Sequence, residues 1–377
     1  MQNFRFWIQL NMSFTLLDPF WMANSFDIEQ ILALIEKNPN ISDLHLSGGE
    51  SISYRSNGEI IREETAGKLS NESMEIVLRQ LFLGNPQRFD KFLGDKEADF
   101  AYISKSWIPY RVNSFFKTGR IGVVMRKINA TAKKLEELIF SDIAESIKKN
   151  ILSAKKGLYL VTGPTGSGKS TSLVAMLEHL NETRNENLIT IEDPIEFVFE
   201  PQKCIVSQRE IWHDTRSFAN ALRSAMREDP NIIFVWEIRD RETAESALSL
   251  AETGHLVFST LHTNSAANTV NRYISFFPPE IQDSISDRLA ESLIGVQSQF
   301  LVRTKDGASR VWIYEVMINT TSIKNNIRKR AVDQIDSIIE TSSLIGMINL
   351  KKYAQRLIDK QIIDPKEVER LFWTGPN

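Results

Sequence analysis

A glycine-rich segment between an apolar strand pattern and a helical pattern limits the possible folds of this chain more than any other feature. It reads Gly163-Pro-Thr-Gly-Ser-Gly-Lys-Ser-Thr171, with the spacing of glycine, lysine and hydroxyl residues found in loops that cradle nucleotide phosphates. Glycines allow a tight turn whose amide groups point inward, and the following helix adds the positive end of its dipole. We therefore predict a phosphate loop after a buried strand.

Two residues of this loop have specific expected roles, and the others supply the backbone. Lys169 would contact the β- and γ-phosphate oxygens, and the Ser170 hydroxyl would be a ligand of Mg²⁺. The predicted nucleotide-binding residues are Gly163, Pro164, Thr165, Gly166, Ser167, Gly168, Lys169, Ser170 and Thr171.

The pattern around the loop alternates between buried strands and helices. Strands are predicted at residues 158–162, 188–191, 232–235 and 256–260, and helices from residue 169 and at 217–227 and 241–251. Such alternation predicts an α/β fold with a parallel sheet, helices on both faces, and ligands beyond the carboxyl ends of the strands. The rest of the chain has mainly helical patterns, including residues 279–301 and 348–363.

The chain before this region follows a different pattern. Short alternating strands with turn signals lie between residues 41 and 127, and a helical stretch at 72–82 interrupts them. This pattern predicts a small α+β domain with a mostly antiparallel sheet. Residues 130–156 carry an amphipathic run at 135–151 and are interpreted as a linker and helix that join two domains.

Composition excludes several classes of protein. The single cysteine, Cys204, rules out a disulfide framework and a cysteine-based zinc site. The chain has 45 Lys and Arg against 48 Asp and Glu, so its charge balance does not favour nucleic-acid binding. No apolar run approaches the length of a membrane-spanning helix. We expect a cytoplasmic protein without direct membrane insertion.

Acidic residues follow two of the predicted strands. Besides a phosphate cradle, nucleotide hydrolysis needs a carboxylate beside the metal ion and a group that positions water. The candidates are Glu192, Asp193 and Glu196 after the second strand and Glu237 after the third. Because both clusters follow buried strands in the domain that carries the loop, we interpret them as active-site residues rather than as solvated loop residues.

Two of the five histidines, His255 and His262, bracket the predicted strand 256–260. Their spacing matches no zinc motif, and no cysteine or third histidine is near. One alternative is a structural pair with ordinary hydrogen bonds. The other, which we favour, is polar contact with the γ-phosphate or with the active-site carboxylates.

These motifs together resemble the secretion-type ATPase superfamily, and in particular its PilT-type pilus-retraction ATPases. The resemblance rests on the phosphate loop, an acidic box at 190–197, a second acidic box at 221–230 that continues to 237–240, and a histidine box at 253–266. Residues 42–47 and 110–113 resemble the N-terminal domain of the family. The resemblance begins near Phe26, so residues 1–22 are expected to be an extension outside the family pattern.

The resemblance implies a PAS-like N-terminal domain at 23–128, a linker and helix at 129–150, and a RecA-like ATPase core with a helical C-terminal part at 151–377. It also implies a homohexameric ring with ATP and Mg²⁺ as cofactors. By motif, Glu196 would polarise the attacking water, and Glu237 would serve Mg²⁺ and the γ-phosphate. The family arginines that reach the phosphates correspond to Arg111, Arg120 and Arg126, and the second acidic box contains Arg223, Arg227 and Arg239.

One short segment favours pilus retraction. Residues 322–329, Ser-Ile-Lys-Asn-Asn-Ile-Arg-Lys, resemble the retraction motif of the family, Ala-Ile-Arg-Asn-Leu-Ile-Arg-Glu. Lys324 keeps the charge, whereas Asn326 and Lys329 depart from the motif. The matching positions are Ile323, Asn325, Ile327 and Arg328. The alternative is a basic amphipathic helix with no special task. Pilus-assembly relatives are usually longer and carry a four-cysteine zinc motif, which one cysteine excludes.

Trp236 is the main departure from the family, which normally has glycine between the third strand and the glutamate. Glycine permits close approach of backbone or nucleotide, whereas an indole adds bulk beside the phosphate site. The ring either turns outward and leaves catalysis intact, or distorts the loop. Our hypothesis is that Trp236 reduces hydrolysis.

The predicted function is a hexameric motor that couples ATP hydrolysis to type IV pilus retraction, and thus to pilin disassembly and twitching motility. Its expected partner is a platform protein of the inner membrane, at whose cytoplasmic face it would work, with an assembly ATPase as a second candidate partner. The alternatives are a Dot/Icm-like or conjugative secretion ATPase and a hydrolysis-impaired accessory ring subunit. Balanced charge disfavours a nucleic-acid helicase.

Overall fold

The computed structural model describes residues 27–64, 67–128 and 131–372, so the expected N-terminal extension lies outside the described residues. The chain divides into two compact units. The first comprises residues up to Ala130 together with Pro194–Phe197, and the second comprises Thr131–Asp193 and the residues from Val198 onward. The expected linker and helix at 129–150 is not a separate segment in this division, because from Thr131 it groups with the second unit.

The first unit is built on a six-stranded sheet with the strand order β3-β2-β1-β6-β5-β4, and every pairing in it is antiparallel. Its strands are β1 Ile41–Ser47, β2 Ser53–Ser56, β3 Glu59–Arg62, β4 Glu97–Ile103, β5 Pro109–Lys117 and β6 Arg120–Lys127. Three helices share one hydrophobic core with the sheet: α1 Ile28–Ile35, α2 Asn71–Leu81 and α3 Pro86–Asp95. The antiparallel sheet and helix α2 agree with the sequence prediction.

Helices α1 and α3 are absent from the prediction, although each begins at a side-chain cap. Asp27 Oδ1 accepts a hydrogen bond from the Glu29 amide, and Asn85 Oδ1 accepts one from the Gln87 amide, both at 3.0 Å. Pro86 follows Asn85 and lacks an amide hydrogen at a position where it would be unpaired. The Asn-Pro pair is therefore the signal that identifies α3.

The second unit contains a seven-stranded sheet with the order β13-β12-β7-β11-β10-β8-β9. Its strands are β7 Gly157–Thr162, β8 Asn187–Glu192, β9 Ile205–Glu210, β10 Ile232–Val235, β11 Leu256–Leu261, β12 Leu293–Arg303 and β13 Arg310–Ile318. All pairings are parallel except that of β12 with β13. The predicted α/β fold with a parallel sheet is confirmed.

Helices accompany this sheet along the chain. Before β7, the helix predicted at 135–151 is divided into α4 Leu135–Leu138, α5 Ser141–Ile147 and a π-helical turn at Lys148–Leu152. Between the strands lie α6 Lys169–Thr183, α7 Phe218–Ala225, α8 Arg241–Glu252, α9 Ala266–Ser275 and α10 Gln282–Ser292. The C-terminal helices are α11 Thr321–Arg328, α12 Ile335–Thr341, α13 Leu350–Asp359 and α14 Pro365–Phe372.

The prediction of one helix over residues 279–301 is wrong for its second half. Helix α10 ends at Ser292, and β12 begins at Leu293. This strand lies between β7 and β13, and its residues 296–299 are at most 1% exposed. A strand that is covered on both faces shows no alternation of buried and exposed residues, so periodicity does not separate it from a buried helix.

The parallel strands place the predicted site at one edge of the sheet. Val235 of β10 is in register with Ile191 of β8 and with Ser259 of β11, and Ser259 is in register with Leu160 of β7. Glu192 is the last residue of β8. The phosphate loop, Glu237 and His262 follow the carboxyl ends of neighbouring strands, where ligands bind in folds of this type.

Candidate active site

The phosphate loop joins β7 to α6 in the conformation that its glycines permit. Gly163, Gly166 and Gly168 have φ values of 146°, 77° and 83°, which residues with side chains rarely adopt. At Gly163, a Cβ would also lie 2.3 Å from the carbonyl oxygen of Gln299. Both the backbone conformation and the close approach of β12 therefore require glycine at this position.

Lys169, the first residue of α6, is 5% exposed and lies inside the loop. Its Nζ donates to the carbonyl oxygens of Gly163 at 2.9 Å and Pro164 at 3.2 Å. Ser167 adds a buried hydroxyl whose Oγ has no hydrogen-bond partner. A buried ammonium, a buried free hydroxyl and the start of a long helix fit bound phosphate groups.

The residues also fit a magnesium ion that arrives with the nucleotide. Ser170 and Thr171 are half-buried in the first turn of α6. Within the described ranges, no group of three or more His, Cys, Asp or Glu side chains could hold a metal ion. Mg²⁺ is commonly bound by one or two carboxylates together with substrate phosphates, and a hydroxyl such as that of Ser170 and a carboxylate such as that of Glu237 are the types of protein group that fit such an ion.

Glu237 follows β10 and is 6% exposed. Its Oε2 accepts a hydrogen bond from Nε2 of His262 at 2.7 Å, and its Oε1 accepts one from Nε of Arg239. Burial acts to raise the pKa of Glu237, but the hydrogen bonds from Arg239 and His262 outweigh it and hold the pKa below its usual value. The carboxylate is therefore ionised at neutral pH.

Glu192 ends β8 and is 4% exposed. Its Oε1 accepts hydrogen bonds from Thr190 Oγ1 at 2.7 Å and from Gln208 Nε2 at 3.2 Å. Gln208 lies on β9, which the sequence did not predict. Asp193 follows and is half-buried. Glu192 is thus anchored at the sheet edge by its own strand and by β9.

Glu196 lies in the segment Pro194–Phe197, which groups with the first unit. Its Oε1 is 3.5 Å from Nη1 of Arg111 on β5. Arg111 also donates to Asp99 Oδ2 at 2.8 Å. The structure therefore brings the carboxylate expected to polarise water to one of the three expected arginines.

The other two expected arginines lie on β6 in different settings. Arg126 is opposite Arg111 in the β5–β6 pair, and its Nε donates to Asp43 Oδ1 at 2.6 Å. Arg120 is exposed at the start of β6 and lies over Gly49, where a Cβ would be 1.9 Å from Nη1. Arg111 and Arg126 are neighbours, whereas Arg120 lies at the other end of the strand.

His255 does not join His262 at the sheet edge, contrary to the prediction. It precedes β11, and its carbonyl oxygen accepts a hydrogen bond from the amide of Gly157, the first residue of β7, at 3.0 Å. Its Nδ1 donates to the carbonyl oxygen of Leu250 in α8 at 2.9 Å. The six residues of β11, about 20 Å of extended chain, separate the two histidines. His255 therefore makes ordinary structural hydrogen bonds, which was the alternative to contact with phosphate or with the active-site carboxylates.

Three threonines, two buried and one half-buried, link the phosphate-loop strand to the histidine box, and the sequence did not single them out. Thr269 Oγ1 lies 2.7 Å from Thr263 Oγ1 and 3.4 Å from Thr162 Oγ1. Thr162 immediately precedes the phosphate loop, and Thr263 immediately follows His262. The network thus ties the start of the loop to the backbone that carries His262.

Comparison with known proteins identifies the family. A family model described as type II/IV secretion system protein matches residues 28–364. The chain belongs to this family. It is 43% identical over 339 residues to the type IV pilus retraction ATPase PilT of Pseudomonas aeruginosa, a match that covers 89% of this chain and 95% of that protein.

Two solved structures of the family support the fold assignment. The crystal structure of the pilus retraction motor PilT with bound ADP matches with a TM-score of 0.80 at 34% identity and covers 94% of this chain and 98% of that chain. The Legionella pneumophila ATPase DotB also matches with a TM-score of 0.80, at 29% identity, over 96% and 97% of the two chains. The predicted N-terminal domain followed by a RecA-like core is confirmed.

Most of the segment that resembles the family's retraction motif forms α11. Ile323 and Ile327 are fully buried in the main core of the second unit, whereas Asn325 and Arg328 are exposed. Lys324 Nζ donates to Glu291 of α10 at 3.0 Å, and Arg328 pairs with the same carboxylate. The residues that match the motif therefore fall into an apolar face that anchors α11 and a polar face.

The three arginines of the second acidic box are all exposed, but their surroundings differ. Arg239 bonds Glu237, as described above. Arg223 is on α7, where its Nη2 donates to Asn220 Oδ1 at 3.0 Å, and Arg227 is exposed just after that helix. Among these three arginines, the structure places Arg239 alone on an active-site carboxylate.

Trp236, where the family has glycine, is half-buried beside Glu237. Its ring packs edge-on against Phe234, with ring centroids 6.0 Å apart at an interplanar angle of 72°. Its amide donates to the carbonyl oxygen of Ile191 at 2.9 Å, which continues the pairing of β10 with β8. The indole is thus accommodated along the strand face that carries Phe234.

None of the helices in the described ranges is long and apolar enough to cross a membrane.

Glu315 of β13 provides a pH-dependent contact close to the histidine segment. It is 5% exposed, and its Oε1 accepts a hydrogen bond from the Ala266 amide at the start of α9 at 2.7 Å. Burial raises the pKa of Glu315 to about 7, and the nearby Asp336 acts in the same direction. Because the folded pKa is raised, its contribution to stability is present below the ordinary pKa of glutamate and is lost as pH rises through 7.

We therefore expect Glu315→Gln, which keeps an acceptor for Ala266 and removes the titration, to change the pH dependence of stability. Its melting temperature should be close to that of the parent at pH 5 and exceed it at pH 8 by on the order of 5 °C. Melting curves between pH 5 and pH 8 measure the difference. Parallel pH profiles for the two proteins would contradict this assignment.

Proposed function

We propose that the protein is a motor ATPase that couples ATP binding and hydrolysis to the retraction of a type IV pilus. The observation that carries the proposal is the ionised Glu237, bonded to His262, at the sheet edge that also carries Lys169. The similarity to PilT extends over most of both chains, and for this reason we assign pilus retraction as the process that the hydrolytic site drives.

Each of the proposed active-site residues would have its own role in phosphoryl transfer. Lys169 and the loop amides would bind the phosphates, while Ser170 and Glu237 would hold Mg²⁺, which neutralises charge on the phosphates. Glu196 would polarise the attacking water. Arg111 and Arg126 would stabilise the charge that develops on the transferred group.

As a motor, the protein would act as a homohexamer at the cytoplasmic face of the inner membrane. One ring of six paired lobes that open and close in sequence would displace an inner-membrane platform protein and withdraw pilins from the pilus base. An assembly ATPase acting on the same platform would oppose it. The apolar face of α11 would fix the retraction motif to the ATPase core, so that the motif moves together with the core when the ring changes shape.

A second candidate function is that of a Dot/Icm-like or conjugative secretion ATPase. DotB matches this chain with the same TM-score as PilT, so the fold favours neither. The sequence identity of this chain is higher to PilT than to DotB, and four residues of α11 match the retraction motif. Both observations favour retraction.

Deletion of the gene discriminates between the two functions. If the protein is a retraction motor, the cells should carry more surface pili, fail to retract them and lose twitching motility. Normal pili combined with failed transfer of effector proteins or DNA would support the secretion ATPase and contradict the retraction motor.

The hypothesis that Trp236 reduces hydrolysis predicts that Trp236→Gly increases the steady-state ATPase rate by about 3- to 10-fold, since glycine restores access beside Glu237. Trp107→Gly is the matched control, because Trp107 is 83% exposed in the first unit. A Trp236→Gly rate no higher than that of the parent would contradict the hypothesis. It would also remove the support for an accessory, hydrolysis-impaired subunit.

A further inference from the structure

The indole of Trp312 lies directly against the phosphate loop. Trp312 is on β13, and a Cβ built on Gly168 would be 2.4 Å from its Nε1 and 3.1 Å from its Cε2. Gly168 is the residue before Lys169 and has a φ of 83°. The N–H edge of the indole therefore contacts the loop at the point where α6 begins.

The indole N–H is buried and has no hydrogen-bond partner. An unpaired buried donor is costly and calls for an explanation in a native site. Ser167 Oγ, on the residue before Gly168, is also buried and unpaired. Two buried hydrogen-bonding groups near the same turn of the phosphate loop thus have no partner.

Neighbouring contacts hold the ring in this position. Nζ of Lys133 lies 5.4 Å from the ring centroid, within the range of cation–π attraction. Two residues further along β13, the Tyr314 hydroxyl is 3.2 Å from Ser172 Oγ on α6. β13 is therefore fixed against α6, and a positive charge lies beside the indole.

We propose that Trp312 is a nucleotide-binding residue whose indole N–H donates a hydrogen bond to a phosphate oxygen of the nucleotide held by the loop. An indole N–H can only donate, so its partner must be an acceptor, and phosphate oxygens are the acceptors that this loop and the start of α6 attract. Lys133 adds positive charge next to that contact. The inference rests on nucleotide binding, one part of the proposed function, and is independent of pilus retraction.

The test is the dissociation constant of ADP for Trp312→Phe, which keeps an aromatic ring and removes the N–H. Isothermal titration with the purified full chain should show binding about tenfold weaker, the size expected for one hydrogen bond to a charged group. Inorganic pyrophosphate should lose competitive strength by a similar factor, since the contact is with phosphate. Trp107→Phe, on an exposed residue, should bind ADP as the parent does.

Three results would overturn the proposal: unchanged ADP affinity in Trp312→Phe, tighter binding, which would mean that the indole obstructs the loop, and weaker ADP binding with unchanged pyrophosphate competition. Lys133→Ala provides a second variant at an exposed residue. It should weaken ADP binding about two- to threefold at low salt and less at high salt. Absence of ADP binding by the parent itself would contradict the proposed function instead.

Discussion

Lys169→Met is expected to lower kcat/KM for ATP by at least about 100-fold. Lys169 is 5% exposed, and its ammonium is held by two main-chain carbonyl groups inside the loop. Methionine fills a similar volume but supplies no charge for the phosphate oxygens. The substitution also leaves the carbonyl groups of Gly163, which is buried, and Pro164 without the lysine donor, which weakens the loop conformation.

Steady-state ATPase rates and ADP titration measure this effect. Lys156→Ala is the matched control, because Lys156 is exposed immediately before β7 and its substitution also removes one positive charge. We expect the control to keep parental rates. Retention of more than a third of the parental kcat/KM by Lys169→Met would show that the loop does not bind the reacting phosphates.

Glu237→Gln is expected to lower kcat by about 100- to 1000-fold while ADP binding in the absence of Mg²⁺ changes little. Glutamine keeps the shape of the side chain and removes its charge. Arg239 and His262 then face a neutral group, and a bound Mg²⁺ would lose the carboxylate that we propose as its ligand. The Mg²⁺ concentration needed for half-maximal activity should rise.

The dependence of rate on Mg²⁺ separates this role from a general loss of structure. Glu242→Gln, on the exposed start of α8, is the control and should keep the parental Mg²⁺ dependence. His262→Gln combined with Glu237→Gln should be less harmful than the product of the single effects, because the two side chains are hydrogen bonded. Full additivity of the two losses would contradict their joint action.

The sequence was sufficient to predict the features that depend on local patterns. The glycine spacing at 163–168 and the buried strand before it define the phosphate loop within a short segment. The carboxylates after β8 and β10 could be assigned to the same sheet edge, because the carboxyl ends of parallel strands lie together. Glu192 and Glu237 lie at that edge, as expected.

Features that depend on contacts between distant segments of the chain were not predicted from the sequence. The pairing of β12 with β7 and β13 makes a strand out of an apolar run that resembles a helix. The placement of His255 follows from strand direction, since one strand cannot bring both of its ends to one site. Trp312 contacts Gly168 only because β13 folds back against the loop, and a tryptophan in a strand carries no local sign of that contact.

The central claim is that ATP hydrolysis by this chain drives pilus retraction, and imaging of labelled pili in living cells tests it most directly. Deletion cells would be complemented with the parent chain or with Lys169→Met at equal protein levels, and retraction events per pilus counted. The account predicts that the parent chain restores retraction, whereas Lys169→Met leaves extended pili that do not retract. Retraction at the parental frequency with Lys169→Met would contradict it.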